Sequence, residues 1–445
     1  MTQASSPLTP SSSHQSVYWF RQASPYINAH RGRTFVVHLD GEALRSAQLD
    51  ELIADLALLS SLGVRLVITY GIRPQLQERF AKQQLSWQEH QGRLIVNHER
   101  LPELLTCASA LRTELEARLS MGLANSPMQG ARLKVLSGNL VTARPLGVRD
   151  GVDLHFSGEV RRIHSHSINS LLDLGALVVL PPLGYSITGE AFDLDAEEVA
   201  MAAAIQLKAD KLILLGEQAG LKDPQGTLVR DLTPDEALSW LNHLATESTL
   251  YRHLKAACMA CRRGVARAHL LSYQRDGALL NELFTRDGDG TLITQQGYEN
   301  LRQATLDDVG GLLALLRPLE EAGVLVRRSR ELLEAEIERF TVIDLDGTLI
   351  GCAALYAYPE QQQAELACVV VDPNYRQGQR GDRLLASIQK QALNLGIKQL
   401  FVLTTHTAHW FVERGFVAAS IEQLPAARRD LYNWQRNSRV YYKDL

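Results

Sequence analysis

Short apolar runs alternate with helical patterns between residues 17 and 294. The apolar runs, which are typical of buried strands, lie at 34–39, 66–70, 176–180, 211–215 and 268–271. Segments with the three-to-four-residue spacing of amphipathic helices lie between them, at 48–62, 102–121, 195–207 and 234–246. Strands that alternate with helices predict an α/β domain with a parallel or mostly parallel sheet.

The pattern starts again after a glycine-rich stretch, TRDGDGTLITQQG. Beyond it, 301–326 predicts a strand, a turn and a helix, and 339–373 predicts two or three antiparallel strands joined by Asp-Gly and Pro turns. A helix at 383–395 and a strand at 399–404 complete this second, smaller α+β domain. The sequence therefore predicts a disordered tail over 1–15, a first domain over 16–294 and a second over 295–445.

Composition narrows the class of protein. The 445 residues are 45% hydrophobic and 22% charged, as in a globular protein, which excludes long disorder. The net charge of -4 gives no reason to expect a nucleic-acid partner. No apolar run is long enough to predict a membrane span. The Ser/Pro-rich start lacks a signal-peptide pattern, and five cysteines suit a reducing compartment, so we expect a cytoplasmic protein.

One cysteine pair has the CxxC spacing of redox and metal sites. Cys258 and Cys261 lie near the end of a predicted helix, without a second cysteine or histidine pair at zinc spacing. We expect buried, apolar cysteines there and no metal.

The segment AELACVVVDPNYRQGQRGDRLLASI carries the clearest chemical signal. A strand at 366–371 ends at Asp372 and Pro373, and a polar loop at 374–380 opens a helix at Gly381. The unpaired backbone N–H groups of such a helix start favour diphosphate binding.

This segment resembles the acetyl-CoA-binding motif of the Gcn5-related N-acetyltransferases (GNAT), Arg/Gln-x-x-Gly-x-Gly/Ala. Arg376 and Gly381 match the outer positions, whereas Gln379 replaces the middle glycine and Gly378 lies one place earlier. WFVERGF, at 410–416, resembles the last signature of the same family. The resemblance implies a GNAT fold and an acetyl-CoA site formed by Val369, Val370, Val371, Arg376, Gln377, Gly378, Gln379, Arg380 and Gly381.

Several further blocks, among them VLVRRSRE and RRDLYNWQRNSRVYYKDL, resemble bacterial N-acetylglutamate synthases, and the first domain resembles N-acetylglutamate kinase. The resemblance implies a three-layer amino-acid-kinase-like domain joined to a GNAT domain. It also implies acetyl transfer from acetyl-CoA to L-glutamate at the start of arginine biosynthesis, with feedback inhibition by L-arginine. A homohexamer is implied by VYWFRQASPYINAHRG, which resembles an interlacing helix through Trp19, Phe20 and Tyr26; packing on its own domain is the alternative.

The first domain departs from a working kinase. His38 stands where that family has the lysine of its first phosphate loop, and Asp40 replaces a glycine. The second phosphate loop reads Tyr70-Gly71-Ile72-Arg73-Pro74, and the family's N-x-N-A-D becomes 193–197, DLDAE. Because phosphoryl transfer needs cations and backbone donors, we expect no kinase activity.

Acetyl transfer to an amine needs a base, an oxyanion site and a donor to the leaving thiolate. The resemblance implies Glu365 as the base and Thr404 at the thiolate, with Thr405 as an alternative; the backbone of Val369 or Val370 would bind the oxyanion. The family's more usual tyrosine is missing, since His409-Trp410-Phe411 fills that signature.

Substrate and effector sites also follow from the resemblance. Arg328 and Arg436 would bind the two carboxylates of glutamate, with Ser438 and Cys368 beside them; Arg327 and Arg330 compete with Arg328. His269, Glu282 and Gly288 match the arginine site of arginine-inhibited kinases. Three other functions remain open: a bifunctional synthase and kinase, a non-enzymatic amino-acid sensor, and an acetyltransferase of protein N-termini.

Overall fold

The computed structural model describes residues 12–445 apart from 123–125, 127, 286–287, 296–298, 346, 377–378, 406–407 and 433–437. The chain divides into two compact units, Met1–Gly297 and Tyr298–Leu445. None of the helices in this described part is long and apolar enough to cross a membrane.

Helices and strands alternate along the first unit. Its helices are α1 (Ser12–His30), α2 (Leu49–Ser61), α3 (Arg73–Lys82), α4 (Leu101–Leu119), α5 (Ser165–Asp173), α6 (Ala196–Gln206), α7 (Pro234–Leu241), α8 (Thr249–Arg262) and α9 (Ala278–Phe284). Its strands are β1 (Thr34–Leu39), β2 (Arg65–Tyr70), β3 (Glu89–His90), β4 (Arg93–Leu94), β5 (Lys134–Leu136), β6 (Val141–Pro145), β7 (Val148–Arg149), β8 (Val152–Asp153), β9 (Gly158–Ile163), β10 (Ala176–Leu180), β11 (Leu183–Tyr185), β12 (Ala191–Asp193), β13 (Lys211–Gly216), β14 (Asp231–Leu232), β15 (Arg267–Ser272) and β16 (Thr291–Thr294).

The main sheet of the first unit lies between two layers of helices. Among the described residues its order is β14-β16-β15-β13-β1-β2-β10-β5, parallel from β15 to β5, with β16 antiparallel to β15. Side chains alternate along β1, so Phe35 and Val37 pack with α2 and α4, while Val36 packs with α6 and α8. Burial on both faces explains the continuous apolar runs and confirms the predicted three-layer α/β class.

The structure differs from the sequence prediction at three places in this unit. Helix α1 begins at Ser12, inside the predicted tail. Helix α7 ends at Leu241 rather than at 246. A second sheet, in the order β12-β11-β6-β9, was not predicted, since its strands are short and polar.

Cys258 and Cys261 are buried in α8, as predicted. Their thiols lie 3.1 Å from the Pro234 carbonyl and 3.2 Å from the Ile293 carbonyl, respectively. Burial raises the pKa of both thiols, that of Cys261 to about 12. Both cysteines are therefore packing residues with inert thiols.

The second unit is built on one mixed sheet. Its strands are β17 (Glu299–Gln303), β18 (Phe340–Leu345), β19 (Thr348–Tyr358), β20 (Gln363–Val371), β21 (Gln399–Thr404), β22 (Val417–Ala419) and β23 (Arg439–Asp444). Its helices are α10 (Val309–Glu321), α11 (Arg330–Ala335), α12 (Arg380–Asn394), α13 (Ala408–Val412) and α14 (Ala426–Arg429). The strand order is β17-β18-β19-β20-β21-β23-β22, with helices α10 and α12 on opposite faces, which confirms the predicted α+β class.

Two features open this sheet at its centre. Parallel pairing between β20 and β21 covers only Gln363–Glu365, so the described residues of the two strands separate beyond Glu365. On the other side of β20, Cys368 and Val369 lie opposite Ala353 alone, which is a β-bulge, and Cys368 has φ of 51°. The bulge bends β20 away from β21 and leaves its backbone at the edge of a gap.

Candidate functional site

A cavity of about 510 Å³ lies in the second unit where β20 and β21 separate. This volume is in the range of small-molecule sites. It brings together most of the residues that the sequence analysis selects in this unit: Arg328, Glu365, Cys368, Val369, Val370, Val371, Arg376, Gly381, Thr404 and Ser438. Arg436, Gln377 and Gly378 lie outside the described residues.

Glu365 is a buried carboxylate at the last position at which β20 pairs with β21. It forms a two-point ion pair with Arg428 of α14, in which Nε lies 2.5 Å from Oε2 and the second guanidinium nitrogen lies 3.1 Å from Oε1. Arg428 was not predicted from the sequence, because the Arg-Arg pair at 428–429 has no local relation to a strand so far away in the chain. The pair places a cation and a potential base side by side in the cavity.

Among the three candidate arginines at 327–330, Arg328 reaches the cavity. It is half-buried, and its guanidinium donates to the Val326 carbonyl at 3.0 Å. Arg327 is exposed, and Arg330 is exposed and paired with Glu334 at 2.8 Å. The structure thus favours Arg328 over its two neighbours.

Cys368, on the bulged strand β20, lies beside the Arg328 side chain. Burial raises the pKa of its thiol to about 11. The thiol is therefore protonated at neutral pH, and Cys368 is not an activated nucleophile.

Two buried hydroxyl residues line the far side of the cavity. Thr404 is the last residue of β21, and its register partner on β23 is Arg439, which follows Ser438. Tyr432 donates to the Ser438 carbonyl at 2.7 Å and fixes the start of β23. Thr405, the alternative to Thr404, is exposed.

The loop before α12 matches the predicted diphosphate site in its position. Gln379 has φ of 57°, and the helix begins at Arg380, so the first backbone N–H groups of a 15-residue helix lie beside the cavity. The Arg380 side chain is turned away: its Nε lies 2.5 Å from Glu299, and it also donates to the Tyr375 carbonyl at 2.9 Å. Arg380 can contribute its backbone N–H but not a free guanidinium.

Gly381 is required by a close approach of Trp410. A Cβ atom at Gly381 would lie 2.9 Å from Cζ2 of that indole. Trp410 is held by the guanidinium of Arg414, 4.1 Å from the ring centre, and Arg414 pairs with Asp382. The two sequence motifs of the GNAT resemblance therefore meet in one packed contact.

The three residues predicted for the arginine site come together in the first unit. Glu282 accepts from His269 Nδ1 at 2.6 Å and from the backbone N–H of Asp289 and Gly290 at 2.6 and 3.0 Å. A Cβ at Gly288, whose φ is 59°, would lie 2.5 Å from Oε2 of Glu282.

The electrostatics of this cluster are set by Glu282. Burial alone would raise the pKa of Glu282, but the hydrogen bonds from His269 and the backbone outweigh it and lower that pKa to about 2. Burial lowers the pKa of His269, whose Nδ1 donates its proton to the carboxylate. Glu282 is thus an ionised, buried carboxylate.

The kinase-like position of the first unit holds a cavity of only about 40 Å³. It is lined by four carboxylates and three guanidinium groups, those of Asp40, Asp193, Asp195, Glu197, Arg73, Arg93 and Arg252. Burial raises the pKa of Asp40 to about 6 and those of Asp193 and Asp195 to about 7. A cavity this small and rich in carboxylates is unsuited to a nucleoside triphosphate, whose phosphate groups are also negatively charged.

Comparison with known proteins agrees with both units. The sequence model of the Amino acid kinase family matches residues 33–272, and that of the Acetyltransferase (GNAT) family matches residues 311–416. The amino-acid acetyltransferase of Azotobacter vinelandii is 55% identical over 431 residues, 96% of this chain and 99% of that protein. That of Pseudomonas aeruginosa PAO1 is 54% identical over 429 residues, with the same coverage.

A solved structure covers both units. The crystal structure of N-acetylglutamate synthase from Neisseria gonorrhoeae complexed with coenzyme A and L-arginine matches with a TM-score of 0.89 at 39% identity, over 96% of this chain and 99% of that chain. Its complex with coenzyme A and N-acetyl-glutamate matches with a TM-score of 0.62 at 40% identity, with the same coverage. These matches confirm the predicted fold classes and the assignment as an acyltransferase. The chain therefore belongs to the amino-acid acetyltransferase family, in which an amino-acid-kinase fold is joined to a GNAT domain.

Proposed function

We propose that the second unit transfers the acetyl group of acetyl-CoA to the α-amino group of L-glutamate, as the first step of arginine biosynthesis. We also propose that L-arginine binds the first unit and lowers this activity. The observation that carries the proposal is the cavity beside the bulged strand β20, which combines Glu365 with three arginines and with the hydroxyl groups of Thr404 and Ser438. Relatives complexed with coenzyme A, N-acetyl-glutamate and L-arginine support the choice of ligands.

Acetyl-CoA binds along the gap between β20 and β21. The first turn of α12 offers backbone N–H groups to the diphosphate, and Arg376, which is exposed and lines the cavity, adds a positive charge. The edge of β20 beyond Glu365 offers its backbone to the amide groups of the cosubstrate. The thioester then lies beside Val369 and Val370.

The two carboxylates of glutamate need two cations. Three described arginines line the cavity. Arg376 lies at its loop end, and Arg328 and Arg428 line the part next to Glu365. Ser438 adds a hydroxyl donor. Arg436, which the family resemblance implies for the same task, remains part of the proposal.

Glu365 accepts a proton from the substrate ammonium, directly or through a water molecule. Its ion pair with Arg428 holds the carboxylate in place and engages both of its oxygens. A substrate carboxylate that draws the Arg428 guanidinium away would release Glu365 when glutamate is bound. Substrate binding and base activation are coupled in this way.

The free amine attacks the thioester carbon and forms a tetrahedral oxyanion, which accepts hydrogen bonds from the backbone of Val369 or Val370. The C–S bond then breaks, the surplus proton on the substrate nitrogen passes to the leaving CoA sulfur, and the Thr404 hydroxyl donates a hydrogen bond to that sulfur. Because the pKa of the Cys368 thiol is about 11, transfer is direct and no acetyl-cysteine forms.

L-Arginine would bind at the cluster of His269, Glu282 and Gly288. The ionised Glu282 already accepts three hydrogen bonds, so one of about four acceptor positions of the carboxylate remains for a guanidinium N–H, and its negative charge attracts the cation. Helix α1 supports the proposed homohexamer, because Trp19 and Phe20 are 40% and 60% exposed, whereas Tyr26 packs on the core of its own unit.

Release of CoA from the purified full chain tests the proposal. With acetyl-CoA present, release should require L-glutamate, fall at least about tenfold when glutamine removes the side-chain carboxylate, and decrease as L-arginine is added. Mass spectrometry should identify N-acetyl-L-glutamate. Release that needs no glutamate, or that is supported equally by a peptide N-terminus, would contradict the assignment.

A further inference from the structure

Three buried side chains meet in the first unit at the carboxyl end of β1. His38 lies on the same face of β1 as Val36, which α6 and α8 cover. Glu197 lies in the first turn of α6, and His253 lies near the start of α8. One nitrogen of each histidine and one carboxylate oxygen all lie within 4.8 Å of one another.

Both histidines carry a nitrogen atom that has no hydrogen-bond partner within the described part of the chain. His38 Nδ1 is 3.0 Å from the Thr69 hydroxyl, which leaves Nε2 without a partner. His253 Nε2 also lacks one, at 4.0 Å from Glu197. These residues are 0% and 2% exposed, so two costly unpaired polar atoms face one carboxylate.

The surroundings orient these groups as they would for a metal ion. The contact with Thr69 fixes the His38 ring with its Nε2 directed into the cluster. Arg252 Nε donates to Glu197 at 2.9 Å and holds the carboxylate. The two imidazole rings pack edge to face, with their centres 5.4 Å apart.

We propose that His38 Nε2, His253 Nε2 and a carboxylate oxygen of Glu197 bind a divalent transition-metal ion, with Zn²⁺ as the best match. Two imidazoles and one carboxylate form an established zinc donor set, at about 2.0–2.2 Å from the ion. Binding draws the three side chains closer together than in the metal-free arrangement. When both Nε2 atoms are unprotonated, one water molecule can donate to only two of these three acceptors, whereas an ion binds all three.

The small cavity beside the cluster provides the fourth coordination position of the metal ion. Glu197 lines both the cluster and the cavity of about 40 Å³, which has room for at least one water molecule as a fourth ligand. An ion there joins the central strand β1 to both α6 and α8. Its expected effect is to stabilise the first unit, and it takes no part in acetyl transfer.

Cobalt provides the first test. The full chain, without a histidine tag and dialysed against a chelator, is titrated with Co²⁺ and followed by visible absorption. We expect one equivalent per chain to give the ligand-field bands of a four-coordinate site, which Zn²⁺ then removes. Calorimetry should show that Zn²⁺ raises the Tm by roughly a few degrees. The absence of stoichiometric Co²⁺ binding would overturn the proposal.

Matched variants locate the ion. His253→Gln and Glu197→Gln should each weaken Zn²⁺ binding at least about tenfold, because each removes a ligand. His243→Gln, which changes an exposed histidine, should bind Zn²⁺ like the parent chain. If the cluster variants do not fold, anomalous scattering from zinc-soaked crystals of the parent chain shows where the ion binds. Binding that survives in both cluster variants, or an anomalous peak elsewhere, would contradict the site.

Discussion

The two units of this chain each hold a charged cavity, but the cavities differ in size and in the way their charges are paired. The cavity of the second unit, about 510 Å³, contains one ion pair, Glu365 with Arg428, beside an open strand edge. The cavity of the first unit, about 40 Å³, is filled with carboxylates and guanidinium groups. The chain therefore combines an open cavity that can admit a substrate with a packed cavity in which carboxylates and guanidinium groups lie against one another.

The difference also separates two uses of a buried carboxylate. Within the described part of the chain, Glu365 pairs with the guanidinium of Arg428, which the proposed substrate would draw away. Glu282 is held by a histidine and two backbone N–H groups, and its pKa is lowered to about 2. The first arrangement suits proton transfer, whereas the second suits permanent recognition of a cation.

The largest effect is expected from Glu365→Gln. The amide keeps the shape of the side chain but cannot accept the proton, so kcat should fall by about 10²–10⁴-fold. Steady-state CoA release measures it. Glu360→Gln changes an exposed carboxylate in the turn before β20 and should leave kcat unchanged. A loss of less than about threefold in Glu365→Gln would show that this carboxylate is not the base.

Removal of Arg428, the ion-pair partner of Glu365, should weaken the binding of glutamate. Arg428→Ala deletes a cation from the cavity and leaves Glu365 unpaired, so KM for glutamate should rise by about 10–100-fold. The neighbouring Arg429 is exposed, and Arg429→Ala is the matched control. Equal KM values for glutamate in the two variants would refute the proposed role of Arg428.

Glu282→Gln should separate sensing from catalysis. Loss of the charge should raise the arginine concentration for half-inhibition by about 10–100-fold and leave activity without arginine intact. Glu99→Gln, at an exposed position of the same unit, serves as control. Unchanged inhibition would remove Glu282 from the arginine site.

The same residue gives a pH dependence of stability. Because the pKa of Glu282 falls from its usual 4.5 to about 2 on folding, its ionised form stabilises the folded chain above pH 4.5. That contribution is lost as the pH falls towards 2. The difference in urea midpoint between the parent chain and Glu282→Gln should shrink over this interval, and a constant difference would contradict the assigned pKa.

Gly381→Ala should have the smallest effect. Its Cβ would lie 2.9 Å from Trp410, so the loop must shift; KM for acetyl-CoA should rise by roughly a few fold and stability fall by about 1–3 kcal/mol. Gly310→Ala lies in α10 with no atom within 4 Å of its Cβ and should not destabilise the chain. A Gly381→Ala variant with parental KM and Tm would show that the Trp410 contact is not restrictive.

Local patterns were sufficient to predict the central strands of the main sheet, because buried strands such as β1 and β10 are continuous apolar runs. They missed the short strands of the second sheet, which lack such runs. The resemblance to a known family, rather than the local pattern, selected Glu365 and Thr404, which lie on strands β20 and β21 beside the cavity. Local patterns could not predict Arg428, since its role depends on a contact across 63 positions. The cluster of His38, Glu197 and His253 was missed for the same reason: only the packing of α6 and α8 on β1 brings it together.

One product analysis tests the contrast between the two cavities most directly. The purified full chain is incubated with acetyl-CoA, L-glutamate, ATP and Mg²⁺, and the products are identified by mass spectrometry. We expect N-acetyl-L-glutamate and CoA in equal amounts, with ATP unchanged. Formation of ADP and a phosphorylated N-acetylglutamate would contradict the proposal that the first unit has no kinase activity. The absence of N-acetyl-L-glutamate would contradict the proposed acetyl transfer in the second unit.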